Sequence, residues 1–242
     1  MKENLKIGLI IADTEEFAPV KKELIKMGAK QNKILNHEAY SYDIALENGR
    51  VFSLCAVLCG IGKVNAAAVT TALVYMGVDA VVSTGFSGSL LEGKHSPVII
   101  GNSYVEHDFD LTGLGYKWGE KPAQERYIYP ADEILVNSAK EYFNNANVGP
   151  LATGDRFVCT TEEHDRVVKE FSAAACDMET GAEASVCYFG NVRFIAIRNI
   201  SDNADESATE SYREVNSSPE ANFFTKVLDW TLGLKDNQNL WS

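Results

Sequence analysis

Three carboxylates stand where an α/β chain would place working groups. Glu16 follows the apolar run Lys6–Ala12, Glu179 lies in the first turn of a helical stretch beginning at Met178, and Asp202 follows the run Val192–Ile197. In an open α/β sheet ligands gather beyond the carboxyl ends of the strands, so acids at those ends can exchange protons with a substrate or hold it. Each acid also has a purely structural explanation. Asp13-Thr14-Glu15-Glu16 has the D-x-x-E form of a capping box, in which Asp13 caps a helix and Glu16 folds back on the N–H of Asp13. Asp177 is a candidate cap for the helix carrying Glu179, and Ser201-Asp202 for a turn. Together the three mark a candidate site that spacing alone does not assign.

The remaining motifs exclude more than they suggest. Gly60-Ile61-Gly62-Lys63 fails as a nucleotide-triphosphate loop, because Val57 stands where the first glycine belongs and Val64 where Ser or Thr would hold magnesium. Thr84-Gly85-Phe86-Ser87-Gly88 follows a buried run and reads as a tight turn or a close approach of backbone to ligand. His37, His95, His107 and His164 are scattered, and the run Asp202–Glu206 lacks the glycine and terminal glutamate of a calcium loop. No metal and no other cofactor is expected. The five cysteines include no C-x-x-C pair and read as reduced, mostly buried thiols of a cytoplasmic protein, with Cys159 in a more polar stretch.

The elements that must position these groups alternate between two periods. Lys6–Ala12, Val51–Leu58, Ala80–Thr84, Ser96–Ile100 and Val192–Ile197 are short β-rich runs, several apolar throughout, as strands are when helices cover both faces of a sheet. Thr14–Met27, Lys63–Met76, Asp132–Asn144, Glu162–Phe171, Met178–Phe189 and Pro219–Leu232 read as helices, the last opened by Ser218 as cap and Pro219 at the first helical position. The fold class expected is α/β: a central mixed, largely parallel twisted sheet with helices on both faces, in one domain over 1–242 whose residues 233–242 form a flexible tail. Segments 106–130 and 201–218 show no sustained period and read as long loops. The first carries Phe109, Leu111, Leu114, Tyr116 and Trp118, apolar enough to be expected against a second subunit or a ligand.

Composition sets the class of partner. Against 34 Asp+Glu the 242 residues carry 22 Lys+Arg, a net charge of −12 with a pI near 4.8. No basic cluster exists to displace phosphate counterions, so nucleic acid is not an expected partner. The first apolar run is too short to cross a membrane.

Taken in order, IGLIIADTEE (7–16), CGIGKVNAAAVTTAL (59–73), STGFSGSL (83–90), HDFDLTGLGYKWGEKP (107–122), TGDRFV (153–158), DMETGAEASVC (177–187) and RNISDNAD (198–205) resemble the methylthioadenosine/S-adenosylhomocysteine nucleosidases of the nucleoside phosphorylase/hydrolase superfamily, over nearly the whole chain. The resemblance implies cleavage of an N-glycosidic bond in a purine nucleoside. It lands the purine contacts on Phe157 and Val158, the ribose contacts on Met178 and Glu179, the acid at the purine on Asp202 and the water-activating carboxylate on Glu16, with Arg198 nearby. Ser87, Gly88 and Ser201 fall in the matching binding segments. Leu111, Leu114 and Tyr116 match an apolar 5′ pocket partly supplied by a neighbouring subunit, which implies a homodimer with the 106–122 loop at or near the interface.

The chemistry demands such groups. Glycosidic cleavage passes through an oxocarbenium-like sugar, so a protein must help the base leave, tolerate positive charge on the ribose and present water. Related phosphorylases are implied to place arginines at the strand before the glycine turn and nearer the N-terminus. Here no arginine precedes Arg50 or stands between Arg50 and Arg126, so hydrolysis is expected. The chain departs from the family pattern at Asp13-Thr14, at Phe86 where a small hydroxyl residue helps hold water, and at Arg156 beside the purine aromatic. Asp13 places a second acid near Glu16, and like-charge repulsion is expected to raise the pKa of one of the two. The alternatives left open are another purine nucleoside, phosphorolysis, and a nucleoside sensor without turnover.

Overall fold

The apolar N-terminal run organises the sheet. In the computed structural model, which describes residues 3–93, 95–217 and 221–241, β1 (Asn4–Ile11) lies between β4 (Val51–Leu58) and β5 (Ala80–Ser89), parallel to both. Outward from β4, β3 (His37–Ala45) and β2 (Lys30–Ile34) add antiparallel neighbours. On the other side β5 pairs twice, in parallel with β10 (Arg193–Asp202) and antiparallel with the short β9 (Ala175–Asp177). The path then runs from β10 through β6 (Val98–Glu106) and β8 (Asn147–Thr153) to β9 and so back to β5. A small closed barrel therefore grows out of one edge of an open sheet, and β7 (Ile128–Pro130) pairs with β6 outside the ring.

That architecture corrects the expectation of a largely parallel sheet. Antiparallel pairings equal the parallel ones in number among the described strands. The strands responsible carry little sequence signal: β2 is KQNKI, and β7 and β9 have three residues each. Backbone hydrogen bonds to a neighbour, which hydropathy does not encode, make them strands.

Helices cover both faces. α1 (Thr14–Lys26) turns Phe17, Val20 and Leu24 inward at helical spacing, where they meet Phe224, Val227 and Leu228 of α7 (Ala221–Gly233) in one core. On the opposite face α2 (Lys63–Tyr75) buries Ala66, Val69 and Leu73 beside Ala184 and Cys187 of α5 (Thr180–Phe189). α3 (Glu133–Tyr142) and α4 (Thr161–Phe171) start at Asp132 and Thr160, whose side chains cap them by accepting from Leu135 and Glu163 N–H groups. No helix among the described residues is long and apolar enough to cross a membrane.

Three further expectations change. Segment 201–218 is not a loop: β10 continues to Asp202, and α6 (Ala208–Ser217) follows. The cap proposed at Ser218-Pro219 lies outside the described residues. Residues 234–241 are not a flexible tail either. They fold into 3-10 turns that bury Leu234, Leu240 and Trp241 in the core on the α1–α7 face, with Trp241 Nε1 donating to the Lys235 carbonyl at 2.9 Å and the Arg50 guanidinium 5.1 Å from the indole. The apolar triplet finds a home at β1 that no local pattern announces. In the 106–130 segment, Trp118 donates to the His107 carbonyl and lies under Arg166, and Phe109 lies under Lys121, so these aromatics find partners within the chain. Leu114 and Tyr116 stay exposed. Because Trp241 is fully buried, Trp241→Ala is expected to cost about 3–5 kcal/mol, read as a lowered midpoint in thermal or urea unfolding.

Candidate active site

A cleft opens where the carboxyl ends of β1, β5 and β10 meet the start of α5. Its lining includes Glu16, Glu179 and Asp202, so the fold brings together three acids that are far apart in the chain. Ser87, Gly88, Phe157, Val158, Met178 and Ser201 line the same cleft.

Glu16 sits in the first turn of α1, but it does not close the capping box anticipated from sequence. Asp13 does cap the helix, its Oδ1 accepting from the Glu15 N–H at 2.7 Å, whereas Glu16 Oε1 accepts from the Phe86 N–H at 2.8 Å across the sheet. That reach costs Glu16 its solvent. Burial pushes its pKa up to about 8, against the pull of the Phe86 N–H and Arg198, while Glu179 and then Asp13 add smaller increments. Like-charge repulsion from Asp13, expected to be a cause, is the least of those acting.

Behind Glu16 lies Arg198, fully buried. Its Nη2 donates to Ser83 Oγ at 3.0 Å, its Nε is 3.6 Å from Asp177 Oδ2, and its Nη1 is 3.9 Å from Glu179 Oε2. Burial pulls the guanidinium pKa down, but Asp177, Glu179, Glu183 and Glu16 more than offset it and hold it above its ordinary value. Gly85 is what admits this group: a Cβ there would collide with Arg198 Nη1 and crowd the Glu16 carboxylate.

Glu179 is placed by the junction of β9 and α5. Asp177 Oδ1 accepts from the N–H groups of Glu179 and Thr180, both at 3.0 Å, so it ties down the start of the helix although Glu179, not Asp177, occupies the cap position. The Glu179 carboxylate in turn accepts from the Gly62 N–H at 3.0 Å. Burial raises its pKa to about 7, with Arg198 opposing. Asp202 occupies a register shift between Ile200 and Asp202 in the β10–β5 ladder, which sets it opposite Gly88. Ser201 Oγ donates to its Oδ2 at 2.6 Å and the Ala204 N–H to its Oδ1 at 2.9 Å. Even so, burial leaves its pKa raised. A side chain at residue 88 would meet Asp202 Oδ1 and Ala204 at 3.0 Å, so glycine keeps this corner open. The glycine motif is thus a close approach within a continuous strand and not a turn.

Aromatic rings close the cleft. Phe157 at the mouth meets Tyr212 edge-on at 5.6 Å, and Phe86 packs edge-on against Phe224 at 5.4 Å and Tyr212 at 6.5 Å. The Phe86 ring therefore joins the core, while its N–H serves Glu16. Sequence reasoning missed Tyr212, because the helix that carries it was read as loop. Burial pushes its pKa up to about 12, with Asp13, Glu16, Glu179 and Asp202 adding to the shift. Arg156 also borders the cleft and pairs with Glu163. Leu111, Leu114 and Tyr116 do not line it.

Carboxylates on separate walls, an aromatic mouth and a cation screened behind acids suit a substrate with a planar base and a polar ring that becomes positively charged. The profile of the phosphorylase superfamily matches residues 6–229. A 5′-methylthioadenosine/S-adenosylhomocysteine nucleosidase of Exiguobacterium sp. is 35% identical over 218 residues, which are 87% of this chain and 90% of that one. The chain belongs to the phosphorylase superfamily. Among superfamily members of known structure, it resembles a Helicobacter pylori 5′-methylthioadenosine/S-adenosylhomocysteine nucleosidase mutant with 5′-methylthioadenosine in the active site, with a TM-score of 0.85 and 27% identity over 95% of this chain and 99% of that chain. A futalosine hydrolase mutant of the same organism superposes with a TM-score of 0.82 and 29% identity, covering 93% and 99%.

The ionisation of Glu16 has a direct consequence for stability. Its pKa is about 8 folded against 4.5 in the ordinary state, so the native protein holds this proton more tightly. The associated stability is fully present below pH 4.5 and is lost as pH rises through about 8. Glu16→Gln removes that loss. It is expected to be more stable than the parent at pH 9, by on the order of a few kcal/mol, and to close the gap toward pH 4, as read from denaturation midpoints across the pH range.

Proposed function

We propose that the protein hydrolyses the N-glycosidic bond of a 5′-thioadenosine nucleoside, releasing adenine and a 5-thioribose. The convergence of Glu16, Glu179 and Asp202 on one cleft supports this reading above all else. The names of the superfamily relatives point the same way.

In this reading the purine stacks at Phe157 and meets Val158, while Asp202, protonated in its partly closed corner, gives its proton to N7. The C1′–N9 bond then breaks with its electron pair leaving on the base. Glu179 accepts hydrogen bonds from the ribose 2′- and 3′-hydroxyls with Met178 packed beside it, and its negative charge favours the cation forming on the sugar. The ionised fraction of Glu16, which grows as pH rises toward about 8, holds a water on the opposite face and takes its proton as the oxygen bonds to C1′. Arg198 does not touch substrate; it keeps Glu16 and Glu179 in place and favours their charged forms. Ser87 Oγ, which makes no hydrogen bond among the described residues, and Ser201 complete the polar lining.

Water is favoured over phosphate by the charge around the anomeric position. A phosphate nucleophile would face carboxylates, with Arg198 buried behind them and Arg156 paired to Glu163 at the mouth. Leu111, Leu114 and Tyr116 lie away from the cleft of their own chain, and Leu114 and Tyr116 are exposed. We assign them to the apolar 5′ pocket of a second copy in a homodimer, where a thioether arm would suit them.

Purified protein incubated with methylthioadenosine is expected to release adenine and a reducing sugar without added phosphate. Asp202→Asn is expected to lower kcat by about 10²–10⁴. Strict dependence on phosphate would make the protein a phosphorylase; binding of a purine nucleoside panel without base release would make it a sensor. Glu179→Gln is expected to impair turnover of ribosides far more than binding of free adenine, and equal losses would remove its ribose role.

A further inference from the structure

Helix α5 carries a second glutamate one turn beyond Glu179. Glu183 faces the same interior side at i+4, and its side chain is wholly buried. Neither carboxyl oxygen makes a hydrogen bond of good geometry. The Ser83 hydroxyl, which accepts from Arg198 Nη2, keeps its own proton free to ease their charge. The roles above leave this acid unused, although buried unpaired carboxylates are among the costliest groups a fold can keep.

The charged and titratable groups that face Glu183 come from every element packed around it. Arg198 of β10 favours its ionised form, while Glu179 of its own helix and Asp177 of β9 oppose it. Cys59 before α2, Cys187 on α5 and Tyr104 of β6 also feel its charge. Glu106, at the end of β6, is turned away to Lys63 and Lys121. A single positive charge is therefore shared by four acids, Glu16, Asp177, Glu179 and Glu183. They cannot all be ionised at once at acceptable cost.

We propose that Glu183 is a positioning residue for the reaction: buried behind the cleft, it competes with Glu16 and Glu179 for the Arg198 guanidinium and so governs how strongly that guanidinium holds the two cleft carboxylates. Protonated, Glu183 leaves Arg198 to Glu16 and Glu179. Ionised, it draws the guanidinium's field to the core side and leaves the cleft pair less compensated. The arrangement links their protonation so that the three glutamates titrate as a set and not as independent groups. Burial raises Glu183 to about 8, beside about 8 for Glu16 and about 7 for Glu179, so the three compete over one narrow range of pH.

The inference rests on the reading that Glu16 and Glu179 act on a nucleoside, and the test separates the two. The pH profile of kcat/KM for methylthioadenosine is compared between the parent and Glu183→Gln, an uncharged near-isostere, with Glu183→Met as a second variant if the first does not fold. In parallel, protein labelled with ¹³C at glutamate carboxyl carbons is titrated by NMR, which requires no turnover. The acid limb of the profile is expected to move down by about one pH unit. In the spectra one high-titrating glutamate is expected to vanish and another to shift down. An unmoved acid limb together with unchanged titration of the remaining buried glutamates would overturn the inference while leaving the hydrolase assignment intact. Full activity in Glu16→Gln would overturn the functional reading, and the NMR titration would still decide whether Glu183 is coupled to its neighbours.

Discussion

A buried cation, Arg198, constrains this molecule. Arg198 is buried in the sheet interior, and an uncompensated guanidinium there would cost several kcal/mol. The fold meets that cost with acids from three directions: Glu16 at the start of α1, Asp177 at the end of β9, and Glu179 with Glu183 along α5. Because each acid must reach the same charge, the ends of the elements that carry them are drawn to one point. Gly85 on β5 supplies the space in which the cluster fits.

Compensation of a core charge and construction of a cleft are therefore the same arrangement. The acids outnumber the cation, and burial lifts Glu16 and Glu183 to about 8 and Glu179 to about 7. Groups poised in that range exchange protons readily near neutrality, which general acid–base chemistry requires. Asp202 stands apart from the cluster, across the cleft, with its own burial and its own hydrogen bonds from Ser201 and Ala204. In the proposed hydrolysis that separation would let one wall hold a proton for the base while the other stabilises charge on the sugar. At Phe86 the backbone N–H holds Glu16, and its ring is spent on the core, so a large side chain there is compatible with an open cleft.

The cleft also shows how local signals serve two purposes. Asp13 caps α1 in the usual way, yet its neighbour in the same motif leaves the cap to reach Phe86 across the sheet. Asp177 ties down the start of α5 while its other oxygen faces Arg198. A motif read along the chain identifies the donor nearest in sequence. Burial then decides whether a carboxylate uses that donor or one from another strand.

The sequence by itself determined the long apolar strands β1 and β4, the helices α1, α2 and α5, the Asp13 cap of α1, and the residue types of the candidate acid–base set. These follow from periodicity and from capping chemistry, which act over a few residues. Resemblance extended this to the residues assigned to the purine and ribose, Phe157, Val158, Met178 and Glu179, all four of which line one cleft with Glu16 and Asp202. Only the tertiary structure decided the closed ring of β5, β10, β6, β8 and β9, the packing of Trp241 against β1, the entry of Tyr212 into the cleft, and the presence of Glu183 behind Arg198. Strands as short as β9 are set by backbone pairing, and the ionisation of a carboxylate by which charges and how much water surround it. Neither quantity exists until distant segments have come together.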